Sequence, residues 1–130
     1  MMLLNNFFTI NNVTTVAFEV KAELVIDATH KIFEGHFPGQ PVVPGVCMMQ
    51  IVKEVLEQVT GQNTNLSNAQ EMKFLAVINP QIHNTIQLSL KYSVGENSAF
   101  NVSAMLFTEG FTHFKFKGVF GIDRVFVIEK

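Results

Sequence analysis

Tryptophan is absent from this chain, tyrosine and cysteine occur once each, and only 15% of its 130 residues carry charge. Each shortage excludes something. The single cysteine, Cys47, leaves no internal disulfide and fits a reducing compartment. Nine Lys and Arg against eleven Asp and Glu give a net charge of −2 and a pI near 6.0, which argues against a general nucleic-acid binder. His30, His36, His83 and His113 have no metal-ligand spacing, so no metal site is expected. There is no phosphate-cradling Gly-rich loop and no nucleophile elbow, and no cofactor is expected. No apolar run approaches the roughly 18 residues of a membrane span. The stretch Met1–Phe8 lacks the cationic start and long apolar core of a secretion signal, so a cytoplasmic setting is expected.

What the chain has in quantity is phenylalanine, 13 residues, within a hydrophobic content of 48%. One domain spanning residues 1–130 can bury a core without disulfides or metal. So few charges over so much apolar surface point to a second subunit covering part of it.

The most informative stretch runs from Gly35 to Val46, Gly-His-Phe-Pro-Gly-Gln-Pro-Val-Val-Pro-Gly-Val. His36 sits between two glycines, and three prolines follow it. Prolines this dense forbid regular helix or a central strand, so His36 stands on a stiff loop that enters a helix near Pro44. The residues alone leave two readings. One is a structural Gly/Pro loop with an incidental histidine. The other is acid–base chemistry at a carbonyl polarised by the helix N-terminus.

From Pro44 to Thr60 the chain reads as a helix, with Gly61 ending it. Val46, Cys47, Met48, Met49, Ile51 and Val52 leave almost no polar face in its first two turns, which predicts a buried helix. Gln50 is the one polar residue there, and Lys53, Glu54, Glu57 and Gln58 mark the half expected to emerge. Alternation predicts strands over Thr14–Ala22, Ala69–Ile78, Thr85–Val94, Ala99–Thr108 and Phe111–Ile122, with a short last piece over Arg124–Ile128. Gly95–Ser98 and Glu109-Gly110 read as turns. The pattern predicts a two-layer α+β architecture, one long helix against a bent antiparallel sheet.

The Gly35–Val46 stretch resembles the signature of the 3-hydroxyacyl-[acyl-carrier-protein] dehydratases of fatty-acid synthesis. Asp27, His30, Ile32 and Phe33 look like that family's approach to the motif, and Lys73–Leu75 with Val77–Pro80 like its second landmark. Gln81-Ile82-His83-Asn84 stands where the family has a Gly-Asp turn. The resemblance implies the hot-dog fold, a long central helix wrapped by a curved antiparallel β-sheet. It implies a homodimer, or a higher or mixed hot-dog assembly, with the partner an acyl carrier protein bearing a 3-hydroxyacyl phosphopantetheine thioester.

Dehydration of such a thioester needs a base for the C2 proton, a donor for the enolate-like oxygen, and an acid for the leaving 3-hydroxyl. By resemblance His36 is the base and the Gly45 N–H serves the oxygen, with Phe37, Pro44, Val46 and Phe74 lining the substrate. The family's second acid falls fourteen residues after the histidine. Here that position is Gln50, which can hydrogen-bond but cannot release a proton. Glu54, one turn on, is a candidate substitute. Gln50 therefore keeps a second reading open, a companion hot-dog subunit that binds acyl thioesters or pairs with a complete dehydratase. Lys115 and Lys117 share a strand face, read as solvated or as a contact for an acidic carrier protein.

Overall fold

The computed structural model describes residues 2–34 and 41–123. Strands β1 (Phe8–Val16), β2 (Glu19–Ile26), β3 (Thr64–Phe74), β4 (Thr85–Val94), β5 (Phe100–Thr108) and β6 (Phe111–Ile122) accompany one long helix, α1 (Gly45–Thr60). The strands form one six-stranded sheet in the order β1-β2-β4-β5-β6-β3, with every pairing antiparallel. This is the expected hot-dog architecture. No helix among the described residues is long and apolar enough to cross a membrane.

Helix α1 starts where the last proline of the run ends. Pro44, at φ −61 and ψ 147, is extended and cannot donate, and its carbonyl accepts from Cys47 N at 2.9 Å. Gly61, at φ +72, ends the helix with its N–H on the Glu57 carbonyl at 2.9 Å. Cys47, Met48, Ile51, Val52, Val55 and Leu56 form a buried stripe.

Two expectations for α1 need correction. Its first half is not covered all round, because Val46 is 67% exposed. Its second half does not emerge at Glu54, which is 2% exposed. A carboxylate that deep needs donors. Leu3 N, Leu4 N and Gln50 Nε2 supply three, each at 2.7 Å.

The core face of the sheet follows the predicted alternation on β4, β5 and β6. Ile86, Leu88 and Leu90, then Val102, Ala104 and Leu106, then Phe114, Phe116 and Phe120 all point inward. One transverse row, Ala22–Leu88–Leu106–Phe114–Phe74, crosses five strands by register and ends on the outer strand β3.

The strand predicted over Thr14–Ala22 is in fact a hairpin. Val16 pairs with Glu19, and Ala17-Phe18 is a two-residue turn with Ala17 at φ +56. Neither residue carries a turn signal, and alternation on both sides hid the reversal. Val16 and Phe18, expected on a buried face, are exposed. The strand predicted over Ala69–Ile78 instead spans Thr64–Phe74, and residues 75–84 form a loop. That loop turns on Asn79, whose side chain accepts from Gln81 N at 2.9 Å and whose carbonyl accepts from His83 N at 2.8 Å. An Asx turn thus stands where the resembled family has a Gly-Asp turn.

Candidate active site

The site grows from the N-terminus of α1. Gly45 and Val46 are its first residues, and the first N–H groups of a helix have no acceptor within it. The inward row of the sheet ends above this point. The Phe74 ring lies 5.0 Å from that of Phe114, and its Cε1 would stand 2.9 Å from a Cβ placed on Gly45. Only glycine accepts the ring this close.

Val43, Gly45, Met48 and Phe74–Val77 enclose a cleft of about 250 Å³ at the helix entrance. Its walls are mostly apolar, and so is its exposed edge, where Phe74, Leu75 and Val77 face solvent. The two walls are tied together by Val43 N donating to the Ile78 carbonyl at 2.9 Å.

Of the residues expected at the site, the fold brings Gly45 and Phe74 into this cleft. Pro44 is half-buried at the helix entrance, and Val46 is exposed in the first turn of α1, outside the lining of the cleft. His36 and Phe37 lie outside the described residues, as does the piece expected over residues 124–128. Gln50 lies on α1, half-buried, with Nε2 donating to Glu54. Glu54 does not stand free as a substitute acid, because its carboxylate clamps the Leu3 and Leu4 amides. Glu34, just before the motif, is exposed.

The approach to the motif is structural. His30 Nδ1 accepts from Ile32 N at 3.0 Å and caps the short 3₁₀ turn Lys31–Phe33, while its ring meets Phe7 edge-on at 5.3 Å. Asp27 accepts from the Thr29 hydroxyl at 2.6 Å and from its backbone N–H at 2.9 Å. These bonds hold the Asp27 carboxyl below its ordinary range. Burial pushes the Cys47 thiol up, so it behaves as a small apolar group. Among the described residues no three His, Cys, Asp or Glu side chains come together as metal ligands would.

Simple alternation hides one further group. His113 falls in sequence with the outward Lys115 and Lys117, yet it is 2% exposed. The pairing steps from Leu106↔Phe114 to Phe107↔Thr112, a β-bulge that leaves His113 unopposed and turns it inward. Its ring lies 2.8 Å from the Thr108 hydroxyl through Nε2, and 3.1 Å from the Val77 carbonyl through Nδ1. A carbonyl can only accept, so Nδ1 carries a hydrogen, while Nε2 pairs with the Thr108 hydroxyl. A register break after Leu106 was the missing signal, and no turn residue announces it.

Residues 12–116 match the ApeI-like family, described as ApeI dehydratase. The chain belongs to this family. The ApeI-like match is accompanied by weaker likenesses to two 3-hydroxyacyl-[acyl-carrier-protein] dehydratases named FabZ. The one from Latilactobacillus sakei is 29% identical over 42% of this chain and 44% of its own length. The one from Levilactobacillus brevis is 31% identical, over 42% of each. The chain thus spans less than half the length of the curated relatives it matches.

Among solved structures, the dehydratase heterocomplex ApeI:P from Xenorhabdus doucetiae aligns with TM-score 0.64 at 24% identity, over 86% of this chain and 96% of that one. Cj0977, a sigma28-regulated virulence protein from Campylobacter jejuni, aligns with TM-score 0.65 at 12% identity, over 91% and 85%. At these identities the ApeI-like chain shares the fold with both.

Proposed function

We infer that this chain removes water from a 3-hydroxyacyl thioester to give a trans-2-enoyl thioester, with the acyl group delivered on the phosphopantetheine of an acyl carrier protein. The observation that carries this reading is the apolar cleft at the first turn of α1, in a member of a dehydratase family. The thioester carbonyl sits at the helix N-terminus, where the Gly45 N–H meets the negative charge that develops on oxygen. The acyl chain takes the Val43, Met48 and Phe74–Val77 walls. His36 removes the C2 proton, the enolate electrons form the C2–C3 double bond, and the C3–O bond breaks. With an amide at position 50, His36 returns its proton to the departing hydroxyl, which leaves as water, and Gln50 positions that hydroxyl. Fatty-acid synthesis, or related lipid or polyketide synthesis in the cytoplasm, uses such a step.

The working unit we propose is a homodimer joined through β3. That strand is an edge, nearly all of it is exposed on both faces, and it shows Leu66, Met72 and Phe74 to solvent. An edge of this kind pairs readily with a second copy. The exposed Leu75 and Val77 at the cleft, and Val46 in the first turn of α1, would then be covered by the partner.

A second reading rests on Gln50. Position 50 is an amide, and the Glu54 carboxylate one turn on is held by Leu3 N, Leu4 N and Gln50 Nε2, so the described part of the site holds no free carboxylate at the family's position. On this reading the chain is a companion subunit of a complete dehydratase, as the name of the ApeI:P heterocomplex suggests for that protein. Turnover assays with 3-hydroxyacyl and trans-2-enoyl thioesters of several lengths separate the two. Turnover by the chain alone supports the first reading. Turnover only after co-purification with a second hot-dog subunit supports the other.

A further inference from the structure

His113 grips the cleft wall in two ways. Its backbone carbonyl accepts from Leu75 N at 2.9 Å and from Ala76 N at 3.4 Å. Its ring Nδ1 lies 3.3 Å from the Ala76 carbonyl and 3.1 Å from the Val77 carbonyl. The Thr108 hydroxyl, 2.8 Å from Nε2, holds the ring plane from the other side. The ring and the Thr108 hydroxyl are buried and the two carbonyls partly so, where a lost partner leaves polar groups unsatisfied. The three residues so held line the cleft opposite Val43, Gly45 and Met48. The opposite wall is the rigid first turn of α1, so the width of the cleft depends on where Leu75–Val77 is pinned. A β-bulge, a costly local break in the ladder, is what turns this ring inward.

We propose that His113 is a positioning residue that sets the acyl-chain length this site accepts, by fixing the Leu75–Val77 wall against the N-terminus of α1. The proposal rests on the reading of the cleft as the acyl site. The ring touches no substrate. It acts through the backbone of residues 75–77. Removing its polar atoms frees two carbonyls, lets the wall relax outward, and shifts preference toward longer chains.

The test measures binding of a series of saturated acyl-pantetheine thioesters, from short to medium length, by calorimetry on the full chain. The variants are His113→Leu, His113→Gln and Thr108→Val, each checked for folding by circular dichroism. An apolar pocket at its size limit rejects one extra methylene by roughly tenfold or more, and in His113→Leu this penalty past the optimum shrinks to about twofold. His113→Gln keeps a donor and an acceptor and restores the wild-type profile. Should His113→Leu fail to fold, Thr108→Val, which removes only the hydroxyl, gives the same flattened profile to a smaller degree. A folded variant with the wild-type length profile, or with all lengths weakened equally, overturns the proposal while the acyl reading stands. A wild type that binds no acyl probe overturns the acyl reading, and this proposal with it.

Discussion

Glu54 is the side chain whose removal tests the local account most cleanly. Three donors converge on one buried carboxylate, and hydrogen bonds to a charged group contribute more than neutral ones. Glu54→Leu is expected to lower stability by about 2–3 kcal/mol in urea unfolding and to free the N-terminal segment to exchange its amides. Gln50→Glu is a different experiment in the same place. It sets a second carboxylate within reach of Glu54, and two carboxylates that close share a proton. The folded-state pKa of the pair is then raised, so this variant loses stability as pH rises above about 4.3, the unfolded value of Glu. The same retained proton supplies the missing acid, and dehydration is expected to quicken by about tenfold or more, read as enoyl thioester formed per unit time. Asp27 has the opposite sign. Its carboxyl is held low by the Thr29 hydroxyl and N–H, so its contribution is present above the ordinary carboxylate range and lost as pH falls through the depressed value. Asp27→Asn should flatten the acid limb of the stability–pH curve, measured as urea midpoint from pH 5 to 3.

Helix α1 and strand β6 were readable in the sequence almost to their ends, because a Pro44 start, a Gly61 stop and the Phe/Lys alternation over residues 114–117 are strong local signals. The β1–β2 turn was not, since Ala17-Phe18 adopts its shape under tertiary pairing rather than by turn chemistry. Residues 64–68 read poorly for a related reason. Strand β3 is an edge, its residues Asn65 to Asn68 are exposed, and no buried face imposes alternation. Gly45 and Phe74, which line the cleft, stand in stretches that the family resemblance marks, whereas His113 and the Glu54 clamp depend on a bulge and on an N-terminal return that no window of sequence displays. Two glycines separate packing from function at this level. A Cβ on Gly118 would strike the Asn68 carbonyl and would lie 2.7 Å from the Phe116 ring, so Gly118→Ala should push β3 off β6 and cost about 1–3 kcal/mol. A Cβ on Gly45 meets only the Phe74 ring, which is half exposed and can swing away. Gly45→Ala should therefore keep its melting temperature yet lose acyl-thioester affinity, measured by calorimetry.

Phe74 belongs both to the bare β3 edge and to the apolar cleft, so a second copy seated on that edge would lie beside the cleft. Light scattering at micromolar concentration is expected to give twice the 14.6 kDa of one chain, and Met72→Glu on β3 to shift that mass toward the monomer. The central claim is chemical, and one measurement reaches it directly. A 3-hydroxyacyl thioester is mixed with the purified chain, and the absorbance of the enoyl thioester is followed over time, for the wild type and for His36→Ala. The account predicts steady enoyl formation by the wild type and a loss of at least about a hundredfold in His36→Ala, the usual contribution of an acid–base group. Equal rates for the two proteins, or no enoyl thioester from the wild type at any chain length, would contradict it.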